Sequence, residues 1–582
     1  MKQHLQKLIT DSINELLQQK GLPLPQGYTV QIERTRDASH GDFFSNAAMM
    51  LAKQLGQKPR ELAAEIVDRL AVSEFVDNSE IAGPGFINFF LSQKAHLQLI
   101  PDIINAGDSF GQCDHGKGEA ILIEYVSANP TGPLHIGHGR GAAYGASLAN
   151  LLNTVGYDTK QEYYVNDAGR QMDILAISVW LRYLNLCGQQ LPFPEKAYQG
   201  DYVREIAAQI HQQHHDDFVI PLDEMSGVDW QQHDVEVQLD KLIATAKQQL
   251  GDAGFRTIFN AGLNRILSDI REDLQEFGVS YDNWFSEQSL TEDNFVNNCI
   301  KRLQDSGHVY EKDKALWFRS SEYGDEKDRV VVRDNGQKTY FASDIAYHVN
   351  KFKRGFSKTI DIWGADHHGY IARVKAALIA LGENPDALDV LLVQFANLYR
   401  GKEKLPMSTR SGEFVTLREL RQEVGNDAAR FFYVTRKSEQ HLDFDLELAK
   451  SQSNDNPVYY IQYAHARICS VLKQMQQRHY RYEQEQALQY LNLLTETHEK
   501  ALLATLSRYP EMILKAAEDY EPHLICFYLR DLANDFHSYY NTHHFLIEES
   551  RLRQARISLI LACKQVFCNG LRILGVSAPE EM

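Results

Sequence analysis

No window of about 18 consecutive apolar residues occurs in the 582-residue chain, so no segment is expected to span a membrane. A secretory leader is also missing. "MKQHLQKLITDSINELLQQKG" sets Leu5, Leu8, Ile9, Ile13, Leu16 and Leu17 at helical spacing among polar residues, unlike the continuous apolar stretch of a signal peptide. Cysteine is scarce: seven residues scattered singly, with no CxxC pair, argue against a disulfide framework and a zinc ribbon. A reducing cytoplasm is the expected compartment. Excess positive charge is lacking too, and the net charge of −18 argues for solubility and against indiscriminate polyanion binding. A local basic groove remains open. Two basic clusters, 348–358 ("HVNKFKRGFSK") and 478–484 ("RHYRYEQ"), are read first as ordinary solvated faces. Repeats, heptad arrays and low-complexity tracts are absent.

What is present, 43% apolar residues over this length, suffices for two to four domains with sizeable cores. Residues 1–108 read as an α+β unit in which "GPGFINFFL" alternates as a strand, and "NAGDSFGQCDHGKG" follows as a linker. Residues 109–445 read as a doubly wound, Rossmann-like parallel sheet. "AILIEYV" suits a buried strand, "GAAYGASLANLLNTVG" a helix and "YDTKQEYYV" the next strand, which together make a βαβ unit. Residues 188–255 are polar and weakly patterned, as an insertion would be, and 329–341 reads as a hairpin around Asn335-Gly336. Residues 446–582 read as an all-helical bundle. In such a sheet the ligand crevice lies at the carboxyl ends of the strands, where the motifs below fall.

"NPTGPLHIGHGRGAAYG" (129–145) sets His135 and His138 three apart, behind a strand and ahead of a helix. Zinc needs three or four ligands, and no further ligand lies at a characteristic spacing. At a helix N-terminus the free N–H groups and the macrodipole favour anions, and imidazoles there can donate to a phosphate in a transition state. A nucleotide phosphate fits best, with Gly137 letting a ligand lie close to the backbone.

"HIGH" after such a strand is the signature of class I aminoacyl-tRNA synthetases. "IEYVSANPTGPLHIGHGR", "WGADHHGY", "MSTRSGEFVTL", "DAARFFYV", "NPVYYIQYAHARI" and "LRILGV", in this order, resemble the arginyl-tRNA synthetases of bacterial type. The resemblance implies an arginine–tRNA ligase that joins L-arginine to ATP as an adenylate and passes it to tRNA(Arg). Mg2+ would come with the nucleotide, with no metal held tightly by the protein. The chain would act as a cytoplasmic monomer, without membrane contact, and would need tRNA for the first step. It also implies an HIGH-type catalytic domain, an N-terminal domain touching the tRNA elbow and a C-terminal bundle reading the anticodon.

Residue by residue, the resemblance implies ATP contacts from Pro130, His135, Gly137, His138, Gly364, Asp366, His367 and Ser408. Asp366 is matched to ribose hydroxyls, although the Asp366-His367-His368 string by itself could also suggest metal. Arginine contacts are implied for Glu124, Ser127, Asn129, His138, Tyr340 and Asp344. Glu124 would hold the α-amino group, and its position in a buried strand calls for a cationic partner, either the substrate or an internal Lys or Arg. Tyr340 and Asp344, four apart, share a face if a helix begins there, and a carboxylate forked onto guanidinium selects arginine over lysine. Catalytic roles fall on His135, His138, Met407, Ser408 and Arg410. The family's KMSKS loop is altered here: Pro406 and Thr409 stand at its lysine positions, and Gly132 occupies the place where some relatives carry a substitute. Lys402, Lys404 or Arg410 is expected to supply the charge. In the bundle, Tyr459, Tyr460, Tyr463 and Arg467 are candidates for anticodon stacking and edge contacts.

Overall fold

The computed structural model describes all residues except 25–26, 222–224, 226–227, 231 and 406–414, together with the side chain of Ala38. Its centre is a five-stranded parallel sheet in the order Leu388–Val393, Lys358–Gly364, Ala120–Tyr125, Asp158–Val165, Asn283–Ser286. Side chains alternate between its faces. Ile123, Tyr163, Ile360 and Ile362 join one apolar core, whereas Tyr164, Phe285 and Trp363 border a second. Both faces are covered, which is why the strands read as apolar runs.

Helix Ile136–Thr154 packs closely on the sheet: a Cβ at Gly145 would lie 2.4 Å from the Tyr125 ring. Its run of Gly, Ala and Ser permits that approach. Arg140 on this helix is buried and donates to the carbonyls of Gln394, Lys437 and Gln440, tying it to two distant loops.

Residues 188–255 depart from the expectation of an insertion outside the core. Helices Asp201–His214 and Val235–Glu276, the latter kinked at Gly251, bury Val203, Ile206, Ile210, Leu239 and Leu242 against Arg170–Leu186. The apolar period was diluted by His, Gln and Asp on the outer faces. The expected hairpin at 329–341 is half formed. Arg329–Val332 is a strand, but the return run makes one bridge, Val332 to Lys338, before helix Tyr340–Lys353 begins.

A separate N-terminal core holds Leu5 through Phe89 around a four-stranded antiparallel sheet. The C-terminal bundle, by contrast, shares one continuous core with the Ile136–Thr154 side of the central sheet. The 105–118 segment lies against it, with Asn569 donating to the carbonyls of Gly107 and Phe110. Among the described residues one helix, Ser550–Leu574, is long and apolar enough to cross a membrane, where the sequence led us to expect none. Its most apolar window is 72% buried inside the protein, and Arg556 on it donates to buried Glu499, so it is the central helix of the bundle.

Candidate functional site

A cavity of about 650 Å³ opens at the carboxyl ends of the sheet strands. Its walls include Glu124, Ser127, Asn129, His135, Gly137 and His138 from the first strand end and helix start. Across the opening stand Tyr340, Asp344, Gly364, Asp366 and His367. Pro130, expected to touch the nucleotide, is buried and does not line it. Met407, Ser408 and Arg410, with Pro406 and Thr409, lie outside the described residues. The flanks of that segment are placed: Leu405 N–H donates to Leu398 O, while Ile136 N–H donates to Val415 O and Leu417 N–H to Leu134 O. Residue 415 is therefore joined by backbone to the histidine motif itself. Lys402 and Lys404 sit exposed at the opposite flank.

His135 and His138 stack with centroids 3.7 Å apart. His135 Nδ1 accepts the Gly137 N–H at 3.0 Å, and His138 Nδ1 accepts the His135 N–H at 3.3 Å. Each Nδ1 is thus an acceptor, which puts the proton of a neutral ring on Nε2. Burial holds both rings below the ordinary imidazole pKa, His138 being pushed down to about 3 with His135 adding to the effect. Two neutral N–H donors at a helix N-terminus suit phosphate oxygens. Gly137 lines the cavity and also has a packing reason. A Cβ there would meet the His135 ring at 2.8 Å and Phe395 at 3.2 Å, so the glycine makes room for the histidine. Gly364 likewise makes room for the Asp366 carboxylate, 2.5 Å from a Cβ at that position.

The strand register sets Glu162, Glu124 and Asp361 side by side across three strands. Their cations all come from the Tyr340–Lys353 helix and its cap. Lys351 Nζ lies 2.6 Å from Glu124 and 2.7 Å from Asp361, His348 Nε2 lies 2.8 Å from Asp361, and Arg354 forks onto Glu162. His348 Nδ1 faces the Asp344 carbonyl at 2.7 Å, so both ring nitrogens meet oxygen atoms. Burial works against each charge, yet Asp361 stays below the usual carboxylate pKa and Lys351 above its usual value because each faces the other. The 348–358 cluster is accordingly no solvated face: His348 and Lys351 are buried against sheet carboxylates, and Lys358 pairs with Asp389. Glu124 has the internal cation that was one of its two alternatives. Its other oxygen, Oε1, accepts the Ser127 hydroxyl at 2.8 Å. Ser127 and Val126 both have positive φ, +40° and +69°, a strained turn for a β-branched valine that aims Ser127 into the cavity.

Asp344 stands otherwise. Helix Tyr340–Lys353 begins at Tyr340, so Tyr340 and Asp344 do share a face, and Tyr340 is half exposed at the mouth. Asp344 accepts the Tyr370 hydroxyl, and burial holds its carboxyl above the usual range. Glu287, buried nearby, is raised by burial too, with Asp344 contributing. A cation placed beside such carboxylates would favour their ionised forms. Sequence reasoning missed Glu287, which comes near Asp344 only through the sheet-edge strand Asn283–Ser286 that it directly follows. It missed Gln171, too, which accepts from the Asn129 amide at 2.8 Å and lines the cavity.

A second cavity, of about 800 Å³, lies in the bundle and is lined by Tyr463, Arg467, Tyr540, Lys564 and the terminal Met582. Arg467 rests on the Tyr463 and Tyr540 rings at 4.4 and 4.6 Å. Tyr459 stacks on Tyr463 but lines a neighbouring cavity, and Tyr460 packs on His537. In the other basic cluster, Tyr480 lies under Arg553 and Tyr482 bonds Ser558, so both rings serve packing.

Three family models match successive parts of the chain. Residues 3–91 match the family model of the arginyl tRNA synthetase N terminal domain, 100–453 that of the tRNA synthetases class I (R), catalytic domain, and 461–582 that of the DALR anticodon binding domain. Arginine–tRNA ligases of Thioalkalivibrio sulfidiphilus and Hydrogenovibrio crunogenus are 59% and 56% identical, over 100% of both chains in each case. Among solved structures, a putative arginyl-tRNA synthetase from Campylobacter jejuni aligns with TM-score 0.73 at 30% identity, covering 84% of this chain and 100% of its own. The Thermus thermophilus arginyl-tRNA synthetase aligns with TM-score 0.73 at 22% identity over 100% of both chains, a likeness of fold.

Proposed function

This chain belongs to the arginyl-tRNA synthetases and is an arginine–tRNA ligase, and on that premise we propose how its residues divide the work. The reaction has two steps. The arginine carboxylate attacks the α-phosphorus of ATP and pyrophosphate leaves; the terminal adenosine of tRNA(Arg) then takes the arginyl group from the adenylate, releasing AMP. Neither step needs a covalent enzyme intermediate, so the protein contributes position and charge stabilisation.

His135 and His138, neutral with protons on Nε2, donate to the phosphates as charge grows on them, with the N-terminus of Ile136–Thr154 behind them. Gly364, Asp366 and His367 border the nucleoside end of the cavity, where Asp366 takes the ribose hydroxyls. Asp344, with Glu287 close by and Tyr340 over the mouth, receives the guanidinium. Glu124, Ser127 and Asn129 receive the α-amino group, with Lys351 already 2.6 Å from one oxygen of Glu124 and the Ser127 hydroxyl on the other. Donors around the histidines are imidazole and backbone N–H groups, which do not suit a hard cation, so Mg2+ is assigned to the nucleotide phosphates. Ser408, Met407 and Arg410, in the altered KMSKS motif, act on the leaving pyrophosphate. Tyr463 and Arg467, and beside them Tyr459 and Tyr460, serve the anticodon end. The enzyme works as a cytoplasmic monomer, activates arginine only with tRNA bound, and uses the 2′-hydroxyl as acceptor.

The observation that supports this assignment most is the contrast within one cavity between Glu124, which already has the Lys351 ammonium at 2.6 Å, and Asp344, whose side chain accepts from the uncharged Tyr370 hydroxyl. Exchange of pyrophosphate into ATP, run with each of the twenty amino acids with and without tRNA(Arg), tests it. Exchange with arginine alone, and only with tRNA, is the expected result; equal exchange without tRNA overturns the coupled step, and exchange with lysine overturns the guanidinium reading.

A further inference from the structure

Away from the active cavity, the ends of helices Arg170–Leu186 and Asp201–His214 lie side by side. Cys187 caps the first, His211 occupies the last turn of the second, and Asp216 follows it. One ligand atom from each, the thiol, an imidazole nitrogen and a carboxylate oxygen, lies within 4.8 Å of the other two. We infer that Cys187, His211 and Asp216 form a Zn2+ site that clips the 188–255 segment to the catalytic domain.

Three independent features support it. A zinc ion with bonds of about 2.0–2.3 Å needs its ligand atoms roughly 3.5 Å apart, so a small closing of side-chain rotamers completes the triangle. Both helices present their carboxyl ends here, and the partial negative charge of a helix C-terminus favours a cation within its last turn. The donors are one thiolate, one imidazole and one carboxylate, a set that suits borderline Zn2+ better than Mg2+ or Ca2+ and neutralises its two charges. The surroundings restrain it as well. The His215 carbonyl accepts the Tyr183 hydroxyl at 2.5 Å and faces the Cys187 sulfur at 3.9 Å, and His215 itself sits at φ +50°. Cys187 and His211 are half-buried, while exposed Asp216 leaves the fourth position to water. No motif marks the site in the sequence, because its ligands are 24 and five positions apart and meet only when the two helices pack.

The same helix carries Gln171 into the active cavity, but 16 residues of helix, about 24 Å, separate it from Cys187. The ion therefore stabilises the segment and takes no part in the reaction. The test strips full-length protein with a chelator, exchanges the buffer, and titrates Zn2+ by calorimetry and Co2+ by absorption. One Zn2+ per chain is expected, with a thiolate-to-Co2+ charge-transfer band and a rise in thermal midpoint on adding Zn2+. All three should vanish in C187S and H211A, weaken in D216N and persist in C113S, which removes an exposed thiol elsewhere. Arginine KM should not change on stripping. Equal Zn2+ binding by wild type and C187S, or Co2+ uptake without a thiolate band, overturns the site.

Discussion

On the proposed reading, specificity is decided at Asp344. Its carboxyl is held above the ordinary range by burial, with Tyr370 as its hydrogen-bond donor, and Glu287 beside it is raised in the same way. A raised carboxylate protonates at a higher pH than usual, and only its ionised form binds guanidinium. Arginine KM should therefore be flat above the raised pKa and climb as pH falls through it, beginning above the ordinary value of about 4. Because burial lowers both His135 and His138, any fall in kcat from imidazole protonation should set in at lower pH than for a free imidazole. A pH series separating kcat from KM checks both statements. Glu124 illustrates what one sequence could not tell. Its need for a cation followed from its place in a buried strand, but Lys351, 227 positions away, becomes its partner only through the packing of a helix on the sheet. Lys351 had looked like part of a basic surface run; it is fully buried.

At the scale of elements, the histidine motif is held from three sides. Tyr433 donates to the Ile136 carbonyl, Val415 and Leu417 bond the backbone on either side of His135, and Arg140 binds three loop carbonyls. Replacing Arg140 by Met leaves those carbonyls without their donor, each buried unsatisfied acceptor costing about 1–3 kcal/mol. R140M should lower the denaturation midpoint clearly and, because His138 shares the helix, lower kcat as well. Gly145→Ala should destabilise by about 1–3 kcal/mol, since its Cβ has no room before the Tyr125 ring. Urea titrations of both variants measure this. The strand, turn and helix from 120 to 156 were legible because short-range signals coincide there: an apolar run, a Gly/Pro turn and a helix with small residues. The return run of the expected hairpin was not, because Thr339 and Tyr340 suit a strand locally and the start of the next helix overrides them.

Across the whole molecule, the apolar cores divide differently from the three regions that composition suggests. The N-terminal unit has a core of its own and meets the bundle through half-exposed polar contacts, Arg34 and Lys2 with Glu511 at 3.0 Å. Such pairs contribute at most about 1 kcal/mol each. The bundle and the catalytic sheet share one core, stitched by Arg430, which donates to the carbonyls of Leu574 and Phe277. Scanning calorimetry should show the N-terminal unit melting separately from a joint transition of the other two. Glu511→Gln should move neither by much.

The central claim is that Asp344 reads the guanidinium while Glu124 already has an internal cation beside it in Lys351. It is tested most directly by comparing L-arginine with citrulline, its uncharged isostere, as ligands of the wild-type enzyme and of Asp344→Asn in the presence of tRNA(Arg). Removing one partner of such a charge pair costs about 2–5 kcal/mol, roughly 30- to 5,000-fold in affinity. The wild type should prefer arginine strongly, and the variant should lose most of that preference through weaker arginine binding, with ATP KM unchanged. A variant that still discriminates as the wild type does would place the guanidinium elsewhere and contradict the account.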